Sequence, residues 1–286
     1  MHINVKYENH AGEIFILQGD DLSFLDVLPL FSFSWDYELV NSVSGLGGIA
    51  TGFARFPRTI DLDLRMRGYS RAQFLAQMNR LHAITEVDAL NQTPGRLYVE
   101  DQYISCFLAV SGDVKTAPMN GNFAMHTVTC LIVRPVWCTD QNFVFNPPSQ
   151  DPAPVDDMGK KYNLRYPYRY SSSLITRGII NDHYADAPAI ITIYGPAGNP
   201  QITIGGNVYG VNTVVSASER LVIDQINHTI EVVGSEGQKK SVFNLRNKTA
   251  DIFAPVPPGQ SVVTQSDSFL FSVTLVEQRS QLKWTV

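Results

Sequence analysis

Apolar and polar residues alternate along several segments of the chain, and this pattern predicts a protein built mainly of β-strands. The clearest case is RTIDLDLRMRG, residues 58–68, in which apolar residues alternate with charged ones. A period of two places the apolar side chains on one face of a strand. Residues 95–110 predict a hairpin that turns near residues 100–102, and residues 122–133 predict another alternating strand.

A helical period follows the first of these strands. Ser70 and Gln73 have the spacing of a capping box, which satisfies backbone N–H groups at a helix start. Apolar residues then recur at helical spacing and form one stripe. Its members are Phe74, Leu75, Met78, Leu81 and either Ile84 or Thr85. The pattern predicts an α-helix over residues 70–84.

A glycine-rich stretch, residues 42–52, lies before that helix. Small residues and glycines give the backbone so much freedom that the stretch is not expected to hold a packed element alone. Long irregular segments in compact domains are usually functional. The sequence therefore predicts a mobile loop that a partner orders.

The C-terminal half shows short apolar runs at close, regular spacing, which favour a β-sandwich or barrel. Strands are predicted at 187–194, 200–205, 207–214, 219–225, 228–234, 240–245, 250–254, 260–264 and 268–277. GPAGNP, residues 195–200, could be a phosphate loop or a turn. A phosphate loop needs a helix behind it. Strand pattern follows instead, so a hairpin turn is predicted.

A proline-rich segment beginning at residue 146 has no apolar period and predicts a boundary between two domains. We place the first domain at residues 1–145, a linker at 146–165 and the second domain at 166–286.

The charge is concentrated in the first domain. The chain has 286 residues and a net charge of −5, and residues 1–145 contain 10 Lys or Arg against 15 Asp or Glu. An acidic surface disfavours specific binding of nucleic acid. No apolar run has the length of a membrane-spanning helix. The N-terminus lacks the pattern of a signal peptide, so synthesis in the cytoplasm and no membrane insertion are expected.

Residue types that carry chemistry are scattered along the chain. The three cysteines have no metal-ligand spacing and are expected to be buried thiols. Asp61 and Asp63 could pair as acid and base, but the arginines on the same strand face favour a solvated charged stripe. No catalytic residue, metal site or cofactor is therefore predicted. For a sugar site, Tyr194 and Tyr209 could supply aromatic rings, although the strand pattern favours core or edge positions.

The order of these segments resembles the distal tail protein (Dit) family of long-tailed bacteriophages. The resemblance runs from about Gly12 to Val286. It is carried by RTIDLDLRMRG, the capped helix, GRLYVEDQYISC, YPYRY, APAIITIYGPAGNPQITIGG, SERLVIDQINHTIEVV and PPGQSVV.

The resemblance implies an N-terminal β-sandwich with one α-helix and an extended hairpin, followed by a C-terminal galectin-like β-sandwich. It implies a virion protein of the tail tip, made in the host cytoplasm. Six copies would form a ring that connects the tail tube protein to a tail-associated hub or tip protein, with DNA passing through the lumen. The C-terminal domain would dock baseplate or receptor-binding proteins. Two alternatives stay open: a host-polysaccharide-binding module of a phage tail, formed by residues 162–286, and a peptidoglycan-degrading or other hydrolytic tail enzyme, for which no residue pattern is found.

Two surfaces are predicted for assembly. The helix 70–84 and the hairpin 95–110 are expected to meet the neighbouring subunit of the ring through Arg71, Gln77, Arg80, Tyr98 and Tyr103. The loop 42–52 is expected to reach the adjacent ring. Its candidate residues are Val43, Ser44, Gly45, Leu46, Gly47, Gly48 and Ile49.

Overall fold

The computed structural model describes residues 3–19, 21–116, 122–147 and 177–283. Most of the predicted linker lies outside the described residues. The chain divides into two compact units. The first unit is Met1–Thr139 together with Gln278–Val286, and the second unit is Asp140–Glu277. The first unit is therefore made of two separate stretches of sequence, a division that our contiguous domain ranges did not include.

The first unit contains most of an antiparallel sheet and one long helix. Its elements are β1 Val5–Glu8, β2 Ile14–Ile16, β3 Leu22–Phe24, α1 Leu28–Phe31, β4 Asp36–Asn41, β5 Gly48–Ala54, β6 Arg58–Arg67, α2 Arg71–Asn91, β7 Gly95–Val99, β8 Gln102–Thr116, β9 Phe123–Ile132 and β10 Trp137–Phe145. The strands pair in the order β2-β1-β7-β8-β9-β6-β3. β10 begins in the first unit and ends in the second.

The strand predicted from RTIDLDLRMRG is confirmed as β6. Leu62, Leu64 and Met66 are buried in the core of the first unit, while the residues between them are more exposed. The hairpin β7–β8 is also confirmed, with Val99 paired to Gln102.

The helix α2 is longer than predicted. Ser70 caps its start, because the Ser70 hydroxyl accepts a hydrogen bond from the Gln73 backbone N–H at 3.2 Å. Leu75, expected in the buried stripe, is exposed. The buried face instead continues to Asp88, and the helix ends only where Gln92 adopts a left-handed backbone. The apolar spacing in the sequence ends before the helix does, because the last buried residue of α2, Asp88, is not apolar.

Asp88 attaches α2 to the first strand of the sheet. Its side chain is fully buried and accepts hydrogen bonds from the Tyr7 hydroxyl, from the His10 backbone N–H at 2.9 Å and from His10 Nδ1 at 2.6 Å. Burial, reinforced by the Asp88 hydrogen bond, raises the pKa of Tyr7 far above its usual value, so the hydroxyl keeps its proton. The hydrogen-bond donors for this buried carboxylate all come from β1 and the loop that follows it.

We expect Asp88→Ala to lower the free energy of unfolding by about 2–4 kcal/mol, because it leaves the buried Tyr7 hydroxyl without its main acceptor. Urea unfolding of the monomer measures the change. Glu86→Ala, an exposed position on the same helix, is the control and should change stability by less than about 0.5 kcal/mol. Equal unfolding midpoints for Asp88→Ala and wild type would show that the cluster does not stabilise the fold.

His126 on β9 is buried in the first unit without a hydrogen bond. It is 2% exposed, and neither ring nitrogen has a partner among the described residues. Burial lowers the pKa of His126, and repulsion by His82 lowers this pKa further. The two imidazole rings are 6.3 Å apart, edge to face. The fold therefore holds His126 in its neutral form.

Stability should consequently fall as the pH drops below about 6.5, where histidine in the unfolded chain takes up a proton that folded His126 does not. We expect His126→Leu to reduce this loss of stability, measured as the difference between urea midpoints at neutral and mildly acidic pH. His82→Gln removes only the repulsion and should reduce the loss less. A pH dependence unchanged by His126→Leu would contradict this assignment.

The second unit is a β-sandwich. Its elements are β11 Gly178–Asn181, β12 Ala189–Tyr194, β13 Ala197–Gly198, β14 Gln201–Ile204, β15 Asn207–Gly210, β16 Val214–Val215, β17 Arg220–Asp224, β18 Thr229–Val233, β19 Lys239–Ser241, a 3-10 turn Phe243–Leu245, β20 Gly259–Gln265 and β21 Leu270–Arg279. One sheet has the order β19-β18-β17-β12-β21-β10 and the other β11-β20-β14-β15. One hydrophobic core contains residues from both sheets, such as Ile191 and Ile202.

The hairpin predicted at residues 195–200 is wrong. β12 pairs with β17 and β21, whereas β14 pairs with β15 and β20, so the segment carries the chain from one sheet to the other. A side chain at Gly195 would place its Cβ 1.8 Å from the Ser216 carbonyl oxygen. The glycine is therefore required by this close backbone approach, and neither a phosphate nor a tight hairpin accounts for it.

Two other predicted strands differ from the observed structure. Residues 240–245 form only the end of β19 and then a 3-10 turn. Residues 250–254 form no strand. The Asp251 carboxylate accepts a hydrogen bond from the Phe253 backbone N–H at 3.0 Å, which stabilises a turn at this position.

Candidate assembly surfaces

The glycine-rich stretch is ordered as part of a β-hairpin, so the prediction of an irregular loop is wrong. β4 and β5 pair antiparallel from Asp36 with Ala54 to Asn41 with Gly48. A bulge lies between Glu38 and Leu39. Glycine weakens a strand in the interior of a sheet. Here each strand pairs with only one other strand, so the glycines are tolerated. We call residues 36–54 the exposed hairpin.

The glycines of the tip have a specific role in closing the turn. Gly45 and Gly47 have φ angles of 72° and 78°, which favour glycine. The Ser42 backbone N–H donates to the Gly47 carbonyl at 3.0 Å, and the Gly45 N–H donates to the Ser42 carbonyl at 2.9 Å. Local backbone geometry therefore defines the turn without any contact to the core.

The exposed hairpin shows many apolar side chains to solvent. Both strands and the tip contribute, and Val43 and Leu46 at the tip are among the most exposed apolar residues of the described chain, at 106% and 87%. The exposed apolar residues are Tyr37, Leu39, Val40, Val43, Leu46, Ile49 and Phe53. Contiguous exposed apolar surface of this kind is typical of an interaction site.

The hairpin is attached to the first unit at its base. Trp35 and Phe53 meet edge to face with ring centroids 6.4 Å apart. The Arg55 guanidinium lies over the Trp35 ring at 4.8 Å and donates to the Ser280 hydroxyl at 3.2 Å. These contacts fix the direction in which the hairpin leaves the sheet, while its strands pair only with each other.

The three predicted interface residues on α2 differ in availability. Arg71 is exposed at the start of the helix. Gln77 is half-buried and donates to the Asp21 carboxylate at 3.1 Å. Arg80 donates to the Ile14 carbonyl at 3.1 Å and lies 3.5 Å from the Glu13 carboxylate. The side chain of Arg80 is therefore engaged with the edge strand β2 of its own chain. Of the three residues, Arg71 is the most available for contact with another molecule.

The two predicted tyrosines contact each other. The rings of Tyr98 and Tyr103 are 5.4 Å apart, with Lys6 over Tyr98 and Arg96 over Tyr103. Burial raises the pKa of Tyr98. Tyr103 is only 8% exposed, so it contributes to the core of its own unit more than to any outer surface.

The candidate chemical groups named from the sequence lie apart from one another in the described residues. The described residues contain no group of three or more metal-ligating side chains. Asp61 and Asp63 accept hydrogen bonds from the Thr129 and Thr127 hydroxyls, opposite them on β9, at 2.7 and 2.8 Å. All three cysteines are free and buried, as predicted.

A depression of about 510 Å³ at the tip of the exposed hairpin is lined by Leu39, Asn41 and three glycines. None of these lining residues titrates.

Other sequence expectations concern binding surfaces. Tyr209 is 1% exposed and donates to the Ala254 carbonyl at 2.8 Å, so its ring cannot stack on a sugar. Tyr194 is partly exposed at the end of β12. Among the helices formed by the described residues, none has the length and apolar character needed to cross a bilayer.

Comparison with known proteins gives matches in structure only. No family model matches the chain, and no curated protein matches it in sequence. The Dit protein of phage SPP1, a hub of the adsorption apparatus in phages infecting Gram-positive hosts, is 10% identical with a TM-score of 0.56. The match covers 97% of this chain and 99% of that one.

A chain of the phage P2 baseplate in its activated conformation is similar over its whole length. With Ca, the identity is 14%, the TM-score 0.65 and the coverage 99% of this chain and 100% of that chain. With Sr, the identity is 14%, the TM-score is 0.66, and the match covers 98% of this chain and 99% of that chain. These matches confirm the predicted fold class: the chain has the mainly β fold of phage Dit and baseplate proteins.

Proposed function

We propose that this chain is a structural component of a phage tail: a hexameric distal tail hub that joins the tail tube to the tail-tip proteins. The exposed hairpin carries this proposal, because it is an ordered element whose apolar surface is left uncovered by the other described residues of the chain. The fold likeness supports it, since both units are matched over nearly the full length of the SPP1 and P2 proteins.

The exposed hairpin needs a partner on physical grounds. An isolated two-stranded ribbon is marginally stable in water, because both faces and both edges stay solvated. A head-to-tail ring supplies a different surface of the next subunit to each hairpin, and obligate contacts of this kind typically bury about 2,000 Å² or more. We propose that the tip, residues 43–49, reaches the adjacent ring of the tail.

The outer face of α2 is the second proposed contact. Leu75, Val87 and Leu90 are exposed on a helix whose other face is buried against the sheet. Arg71 lies at the start of the same helix. We propose that this face meets the neighbouring subunit, with Gln77 and Arg80 supporting it from within the chain. Tyr98 alternates along β7 with the core residues Leu97 and Val99, so we propose it for a contact on the other side of the sheet.

The proposed lumen would carry DNA without binding it. Residues 1–145 contain five more acidic than basic residues, and an acidic wall repels phosphate groups. We propose residues 1–145 as the ring-forming domain and residues 166–286 as the domain that docks baseplate, receptor-binding or tip proteins. Both proposed functions depend on the shape of the subunit and on its repetition around the ring axis, and neither requires a covalent bond to form or break.

The hairpin surface can be tested by combining Val43→Asp, Leu46→Asp and Ile49→Asp. Burial of one large apolar side chain contributes about 1.5–3 kcal/mol, and each 1.4 kcal/mol is tenfold in an association constant. We therefore expect the association with tail tube protein, whose ring the tip would reach, to weaken by at least about tenfold in native mass spectrometry or sedimentation. The unfolding midpoint should stay the same because these side chains are exposed.

Val214→Asp is the matched control for this experiment. It adds one carboxylate at a well exposed apolar residue of the second unit and should leave the association with tube protein intact. A wild-type chain that stays monomeric even with tube protein would contradict the proposal. So would a triple variant that assembles like wild type.

The helix surface has an independent test. Arg71→Glu should weaken ring formation without changing the unfolding midpoint, since reversal of a charge at an interface creates repulsion. Arg65→Glu, an exposed arginine on β6, provides the comparison. If both variants assemble equally, Arg71 does not lie in the contact.

A further inference from the structure

A small cavity lies at the base of the exposed hairpin. It has a volume of about 90 Å³ and is formed entirely by residues of the first unit. Phe33, Phe56, Pro57 and Pro135 supply apolar walls, with Ser34 beside them. Its charged residues are Asp36, Arg55 and Arg58, and its second hydroxyl residue is Ser280.

Arg58 lines this cavity and is partly buried. Its Nε is buried and has no hydrogen-bond acceptor among the described residues. Burial lowers the pKa of Arg58, opposed by the nearby Cys130. An arginine nevertheless stays charged in proteins. A partly desolvated charge is costly unless an opposite charge or acceptors meet it.

Arg55 supplies a second guanidinium to the same cavity. Its position is fixed by the Trp35 ring at 4.8 Å and by the Ser280 hydroxyl at 3.2 Å. No salt bridge between Asp36 and either arginine occurs in the described part of the chain. The lining therefore carries two positive charges against one negative charge.

We infer that this cavity is a binding site for one carboxylate group, held by Arg58 with Arg55 beside it. A net charge of one matches a monovalent anion, and the planar guanidinium is suited to the two oxygens of a carboxylate. The volume is far below the roughly 300 Å³ of small-molecule pockets, which excludes a sugar ring or a nucleotide. The apolar walls suit the carbon atom that bears the carboxylate.

The carboxylate could be free in solution or belong to a protein side chain. Residues 1–145 contain 15 Asp or Glu, so a second copy of this chain offers many such groups. This second source rests on the proposed ring. The site itself does not, because both arginines belong to one chain.

Thermal unfolding of the full chain tests the site. Sodium acetate replacing sodium chloride at constant ionic strength should raise the Tm of wild type by about 2–4 °C at saturation, whereas acetamide, which has the same shape without charge, should not. Arg58→Gln should abolish the rise, and Arg65→Gln, at an exposed position of the same strand, should retain it. Arg58→Lys keeps the charge without the planar fork and should give a smaller rise.

Two results would overturn the inference: equal shifts with acetate and acetamide in the wild type, or an acetate response in Arg58→Gln as large as in the wild type. If Arg58→Gln does not fold, the wild-type comparison and Arg58→Lys decide the question.

Sedimentation distinguishes the two sources. If the carboxylate comes from a second copy, acetate and Arg58→Gln should each weaken assembly about tenfold or more, while Arg65→Gln leaves it unchanged. If acetate raises the Tm without affecting assembly, the source is a free carboxylate or another protein. A chain that never assembles refutes the ring and leaves the acetate experiment valid.

Discussion

The structure depends on one constraint: a two-stranded ribbon cannot bury its own side chains. The exposed hairpin presents apolar residues on both strands and at its tip, and its strands pair with no other strand. Exposure of these side chains to water is therefore unfavourable relative to a buried state, and the other described residues do not provide that burial. The rest of the first unit serves to hold this element in a fixed direction, through Trp35, Phe53 and Arg55 at its base.

The helix α2 is tied to the sheet of the first unit by hydrogen bonds that its side chains form. Asp88 links α2 to β1 and the following loop, and Arg80 links the same helix to β2. A helix tied to two strands by buried or bridging hydrogen bonds resists sliding, because any shift breaks several of them together. The outer face of α2 is thus a preformed surface, which reduces the entropy lost when it meets a partner.

Sequence periodicity was sufficient for elements whose two faces differ in burial. β6 alternates cleanly and Ser70 caps α2, so both were predicted close to their observed starts. The end of α2 was missed because Asp88 is a buried polar residue. The exposed hairpin was missed because both of its faces are exposed and apolar, so it has no alternation to detect. The route of residues 195–200 depends on pairing with distant strands, which local pattern cannot show.

The candidate interface residues also show what sequence pattern can and cannot predict. Sequence pattern places a residue on an element but does not show whether its side chain is already engaged. Arg80 and Gln77 are held by neighbours on other strands and loops of the first unit, and Tyr103 is covered within it. Arg58 shows the reverse: it reads as one more charge on the strand β6, yet the fold encloses its Nε without an acceptor. The proposed contacts therefore rest on groups that folding leaves available, namely the exposed apolar side chains of the hairpin, while the buried Arg58 Nε marks the proposed carboxylate site at its base.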